Sequence, residues 1–490
     1  MAENIENAID ENSYILRSQT NFDENREKEI NSTRSSLPLA CFNFINSIIG
    51  SGVIGIPYAL HRAGFGFGMV LLILVAYITD YSIILMIKCG HISGKFSYQG
   101  IMEAAFGRPG YLLLGILQFF YPFVAMVSYN IVVGDTVTKV LIRLTGMATT
   151  SFFAKREVIV LLANLFITIP LCLYRNVSKL AKISFLSLIC IVFILFSMLV
   201  RIGEMSHKVP DNQASWKFFN NDIVPAIGVM AFAFMCHHNT FLIYTSIEEP
   251  DEKKWEIVTH VSIMTSLIVA VLFGLAGYTT FAAYSQGDLL ENYCWDDDLM
   301  NLSRLLFSVQ ILLTYPIECL VTREVLENSL FKADPSSQVS DNTHYVITLA
   351  IIFITYLISI STDCLGVVLE LNGVLAAVPL AYVLPALSYL RLSEGSILNR
   401  EKIPAVGVVV FGISIALFGV LFLFIDFDKF NVCSHGAVMG YCLPQNNTEN
   451  FSSIFSEKTW NNKSVNSTNV IPKMRISTPI PHVNRKIPLF

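Results

Sequence analysis

The sequence predicts an all-α integral membrane protein, a bundle of eleven spanning helices in which the first and sixth are broken. Three observations point there. Hydrophobic residues fill 53% of the 490 positions and charged residues 14%, and the mean hydropathy is +0.55, well outside soluble usage. Eleven stretches approach the roughly 20 apolar residues that a helix needs to cross a hydrocarbon core of about 30 Å. Two of them carry helix-breaking or strongly polar residues at their centres.

The spans are expected at 38–62, 66–88, 111–138, 157–174, 180–201, 222–247, 257–284, 299–322, 344–361, 365–390 and 404–425. A polar arm, 1–36, precedes them, and it lacks the hydrophobic run of a cleavable signal peptide. A tail follows from 426 to 490. The net charge of -5 is spread over loops and ends, with no basic stripe for a nucleic acid. No G-x-x-x-x-G-K-[S/T] occurs, so nothing suggests nucleotide-driven work. No Ser/His/Asp or Asp/Asp set falls at matching depth in neighbouring spans, so an enzyme is not expected.

The first span contains "NSIIGSGVIGIPYA", Asn46 to Ala59, with Gly50, Gly52 and Gly55 ahead of Pro57. Each glycine costs about 1 kcal/mol inside a helix, and proline removes a donor and clashes with the preceding turn. The helix is expected to unwind near Gly50–Gly52. Lipid cannot satisfy freed amides and carbonyls, so a break at that depth must line a cavity or be buried in protein. The amides near Gly52 and Val53 would face an anion and the carbonyls before Gly50 a cation. Close helix packing is the competing use of one glycine, but less so of G-S-G-x-x-G-x-P.

Folds built from inverted repeats place a second break in the other half. "IGVMAFAFMCHHNTFLIYTSIEEP", Ile227 to Pro250, supplies it: His237, His238, Asn239 and Thr240 interrupt the sixth span, five after the first. Adjacent histidines on a helix diverge by about 100° and grip one metal poorly, which leaves cavity lining, a proton relay or packing. Glu370, in the tenth span between Gly366 and Asn372, is the strongest ionisable candidate for proton coupling, with His237 and His238 behind it. Asp80 and Glu318 lie toward span ends and are expected to pair with nearby basic residues. Asp135 and Lys139, four apart, are expected to pair along one helix.

F-N-x-x-N-x-x-x-G-S-G-x-x-G-x-P-Y-A in the first span, S-Y-Q-G-x-x-E-A-A-F-G-R-P-G at 97–110, A-F-A-F-M-C-H in the sixth span and L-P-A-L-S-Y-L-R at 384–391 resemble the amino acid/auxin permeases. The closest resemblance is to their animal branch of sodium-coupled neutral amino acid transporters, and it runs from about residue 36 to about 425. It implies a leucine-transporter-like fold: inverted repeats at about 37–202 and 221–390, and an extra helix at 404–425. It also implies sodium-driven carriage of amino acids, with proton counter-transport as an accompaniment and proton-coupled or sodium-independent carriage, or nutrient sensing, as alternatives. The family draws its sodium site from an asparagine in the first span and a threonine in the eighth. Asn46 fills the first position and Thr314 the second, with Ser308 as the fallback, and carbonyls at Ile45 and Ile49 complete the shell. Gly50, Ser51, Gly52, Val53, Phe232 and Phe234 are the expected substrate contacts. No organic cofactor is implied. His238 and Asn239 depart from the family pattern, which has proline after the histidine, and Lys182 could bring an ammonium to the cation site.

Orientation follows from basic residues. With a cytoplasmic N-terminus the arm and inner loops hold 17 lysines and arginines against eight in the outer loops. Eleven spans then put the tail outside the cytoplasm. Asn446, Asn450, Asn462 and Asn466 each begin an N-x-S/T sequon, consistent with a glycosylated luminal or extracellular tail. Of ten cysteines, Cys433 and Cys442 lie in the tail and Cys294 and Cys364 in or beside outer loops. A disulfide is therefore permitted there, with its pairing open. The plasma membrane and the lysosome are both compatible.

Overall fold

The computed structural model describes residues 35–148, 151–173, 184–210, 215–327, 340–362, 364–397, 399–425 and 439–442. The four sequons, Lys182, Cys433 and nearly all of the arm lie outside these residues. Among the described residues nine helices are long and apolar enough to cross a membrane, and a bent pair brings the number to ten. The expected fourth span is also helical, as Arg156–Ala163, a π-helical turn Asn164–Thr168 and Ile169–Cys172. The three pieces run on without a gap, with Pro170 near the start of the last.

The first span is Leu37–Ile48, a 3-10 turn Ser51–Gly55, and Ile56–Ala63, with the two arms bent by 48°. Gly50 stands in extended backbone at the bend (φ -119°, ψ -152°), where unwinding was expected. The sixth span repeats the device: Ile223–Ala233, then Phe234–Cys236 outside helix, a 3-10 turn His237–Asn239, and Thr240–Ser246. The two breaks touch. A Cβ on Gly52 would stand 2.6 Å from the Cα of Ala233, so only glycine permits this crossing. The Asn239 amide nitrogen donates to Ser47 Oγ at 2.8 Å across it.

The remaining spans surround this crossing. They are Phe65–Ser93, Tyr98–Thr145, Ser184–Lys208, Glu252–Phe281, Asp298–Leu326, Asp341–Ser361, Leu365–Leu392 and Ile403–Ile425. Most overrun the expected limits because polar caps carry the helix past the apolar stretch. Ser97, Asp297 and Ser340 each accept a backbone N–H of the first turn. Tyr98–Thr145 is two helices in one run, broken at Gly107 (φ 65°) ahead of Pro109. The tenth span carries two π-helical turns, Gly373–Ala377 and Pro379–Val383. A Cβ on Gly373 would lie 1.9 Å from the carbonyl oxygen of Gly228, so the tenth span packs backbone to backbone on the sixth.

A buried charge network fixes the loop before the eighth span. Lys139 reaches Glu291 at 2.6 Å, with both side chains at most 3% exposed. Arg156 binds Asp135 at 2.6 Å. Thus Asp135 and Lys139 do not form the helical pair that their spacing suggested: each side chain turns off its own helix toward a partner on another element, because a buried charge left unpaired there would cost more than a helix-surface pair contributes. Arg304, fully buried, donates to the carbonyls of Leu290, Tyr293 and Cys294. Cys294 is bonded to Cys442, and the Tyr441 hydroxyl donates to the Asn292 carbonyl at 2.7 Å. The start of the tail therefore stands on the same side as the 285–297 loop, as the four spans between them require.

Candidate functional site

A cavity of about 650 Å³ begins at the crossing of the two breaks. Gly50, Ser51 and Gly52 form its wall from the first span, and Phe232, His238 and Asn239 from the sixth. Tyr121 and Tyr129 contribute from the third span, and Gln310, Thr314 and Glu318 from the eighth. From there it extends to Ser35 and Ser246, where the first span begins and the sixth ends, and to Leu242, which is 71% exposed. The Ser35 N–H donates to the Ser246 carbonyl at 2.7 Å, and the Glu248 N–H to the Ser35 carbonyl.

Asn46, on the first span, and Thr314, on the eighth, both line this cavity. The Asn46 side-chain oxygen is buried with no hydrogen-bond partner among the described residues, as is Gln310 Oε1. Orphaned buried oxygens are costly unless something else satisfies them, and the donor set suits a hard monovalent cation. The Thr314 hydroxyl donates to the Gln310 carbonyl at 2.9 Å and leaves its lone pairs free. Ile49 lines the cavity; Ile45 does not, and its carbonyl accepts the Ile49 N–H at 2.8 Å. Ser308, the fallback, faces Thr136 at 2.6 Å away from the cavity.

The expected substrate contacts divide. Gly50, Ser51, Gly52 and Phe232 line the cavity, while Val53 and Phe234 are buried behind it. The histidines part in the same way. His238 lines the cavity and stands 3.0 Å from the Asn239 amide. His237 is fully buried against Ser82 Oγ at 2.8 Å.

Glu370 lies beyond the break, on the other side of the crossing from the cavity mouth. It accepts from the Tyr58 hydroxyl at 3.0 Å and from Arg62 Nε at 3.1 Å, and Arg62 also binds Asp222 at 2.7 Å. The cluster ties the second arm of the first span to the tenth span and to the start of the sixth. Sequence reasoning singled out Glu370 but not its partners, which lie 308 and 312 positions away. Asp80 has a partner, as expected, though it is His260 at 2.9 Å rather than lysine or arginine. Glu318 has none: its carboxylate makes no hydrogen bond or ion pair among the described residues, because the arginine five positions on, Arg323, turns to the Cys172 carbonyl and the Thr348 hydroxyl.

The family model described as transmembrane amino acid transporter protein matches residues 33–425. A zebrafish protein named "Putative sodium-coupled neutral amino acid transporter 11" is 44% identical over 418 residues, 85% of this chain and 92% of its own. Its human namesake is 43% identical over 79% of this chain and 94% of its own. Vacuolar amino acid transporter 2 of Saccharomyces cerevisiae is 32% identical over 79% and 83%. Among solved structures, MhsT in complex with L-phenylalanine superposes with a TM-score of 0.49 at 12% identity, covering 77% of this chain and 98% of that one. Family and relatives are transporters rather than enzymes, and the match spans both broken helices, the cavity between them and the tenth span. The chain belongs to the transmembrane amino acid transporter family.

Proposed function

We propose that this amino acid transporter is a secondary active carrier driven by sodium, which moves neutral amino acids by alternating access around its two breaks. The observation that carries the reading is the orphaned Asn46 oxygen in the cavity that Thr314 also lines. An alkali ion there would be held by oxygens alone, and the unwound backbone at Gly50–Gly52 offers amides and carbonyls to the α-carboxylate and α-ammonium of the cargo. Relatives named for sodium and neutral amino acids support the same assignment.

The Arg62–Glu370–Tyr58 cluster acts in this reading as the closed gate on the far side, while the cavity stands open toward Ser35 and Ser246. With a cytoplasmic N-terminus, that is an inward-facing state. The disulfide at Cys294–Cys442 supports placing the opposite face in an oxidising compartment. Uptake of radiolabelled amino acids into proteoliposomes, with sodium and pH gradients imposed separately, tests the proposal. Accumulation driven by the sodium gradient alone is expected. Accumulation driven only by a pH gradient would assign the coupling to protons.

A further inference from the structure

Glu318 follows Thr314 by one helical turn and Gln310 by two, so the three side chains share one face of the eighth span and line one cavity. The residue is 8% exposed. Among the described residues that line the cavity there is neither lysine nor arginine, and Glu318 is the one acid. A small recess beside the cavity, bounded by Tyr98, Gln118, Tyr121, Met235 and His238, also meets Glu318, and among the described residues it holds His238 but no lysine or arginine. The wall next to the carboxylate is aromatic. The Tyr121 ring lies 5.6 Å from Phe232 and 5.9 Å from His238, centre to centre.

A buried carboxylate without a counter-charge is costly, and inside a membrane such groups pair with one another, with backbone or with what passes through. A zwitterionic amino acid with a neutral side chain brings no net charge to offset it, since its two charged groups are met by the broken backbone. A side chain ending in an ammonium or guanidinium does offset it. The aromatic faces of Tyr121 and Phe232 add attraction for the same group, and more strongly when it is desolvated. The cavity volume falls within the roughly 300–1,000 Å³ usual for small-molecule sites.

We infer that the cavity also accepts amino acids with cationic side chains, with Glu318 as their counter-ion and Tyr121 as the wall against which the cation lies. The inference rests on the amino acid site proposed above and extends its substrate class beyond neutral cargo.

Binding and uptake together test it. Thermal unfolding of the purified full chain in detergent is followed with lysine, arginine, alanine or leucine added, for wild type, Glu318→Gln and Glu318→Asp. Lysine and arginine should stabilise the wild type. Replacing the carboxylate by an amide should weaken their apparent affinity relative to alanine by at least about tenfold, and Glu318→Asp should restore part of it. In proteoliposomes the ratio of lysine to alanine uptake should fall in parallel in Glu318→Gln. Wild-type protein that binds alanine but is indifferent to lysine and arginine would overturn the inference and leave the transport reading intact. A Glu318→Gln protein with an unchanged lysine-to-alanine ratio would overturn it too, whether or not sodium or pH dependence is lost. Stabilisation by cationic amino acids without uptake of any would support this site while contradicting transport.

Discussion

Glu370→Gln should release the gate without disturbing its shape. The carboxylate accepts from Tyr58 at 3.0 Å and from Arg62 at 3.1 Å, with the Arg62 and Glu370 side chains 18% and 11% exposed. Hydrogen bonds to a charged group contribute roughly 1.5–3 kcal/mol and neutral ones roughly 0.5–1.5, so turning two of the first kind into the second costs about 2 kcal/mol. Asp222 still holds Arg62, and residual solvent screens the pair, which trims the loss to about 1.5 kcal/mol. At about 1.4 kcal/mol per factor of ten, the population with this side open should rise about tenfold. Val53, 5% exposed, stands in the chain between cavity-lining Gly52 and gate residue Tyr58. A Val53→Cys reporter, in a background where half-buried Cys41 is replaced by serine, should react with an impermeant maleimide about tenfold faster when Glu370→Gln is added. An unchanged labelling rate would refute the gate. If transport also lost its pH dependence in that variant, Glu370 would be a proton carrier instead.

Three further outcomes concern the 285–297 loop and the tail. Burial, with Glu291 and Asp135 nearby, pushes Asp288 up to about 8. The folded chain then keeps a proton that the unfolded chain releases near pH 4, so stability should fall as pH rises from about 4 to about 8, by at most about 1.4 kcal/mol per pH unit. Thermal unfolding across that range should show the slope in wild type and a flatter one in Asp288→Asn; equal slopes would count against it. Cys294→Ser and Cys442→Ser should each lower the unfolding temperature, and the double variant no further, because they share one bond closing 148 positions; additive losses would contradict the pairing. Glycosidase should shift the protein on a gel, and changing Asn446, Asn450, Asn462 and Asn466 to Gln should abolish the shift; a surviving shift would place the glycans elsewhere.

The breaks were legible because their cause is local. Gly50, Gly52 and Pro57 cannot continue a helix whatever surrounds them, and the polar run His237–Thr240 interrupts an apolar stretch. Span existence followed from composition, whereas span ends did not, because caps such as Ser97 and Asp297 act beyond the apolar residues that define a span. Partners were the least legible. Asp135 and Lys139 have helix-pair spacing, yet their side chains meet Arg156 and Glu291, and Arg62 gives no local sign that it meets Glu370 across more than 300 positions. Glu318 read as an end-of-span acid awaiting a basic neighbour. Only the packing reveals that Arg323 is engaged elsewhere and that the carboxylate faces the cavity. Helical periodicity did carry a usable signal there, since Gln310, Thr314 and Glu318 repeat every four residues.

If Asn46 and Thr314 hold the driving cation beside the broken first span, sodium titration of uptake by Asn46→Ala in proteoliposomes will read it out. Removing the amide takes away the orphaned oxygen while leaving the glycines and Pro57 in place. Half-maximal uptake should then require about tenfold more sodium, or more, with maximal rate affected less. Wild-type sodium dependence in that variant would contradict it and move the cation site away from the crossing of the two breaks.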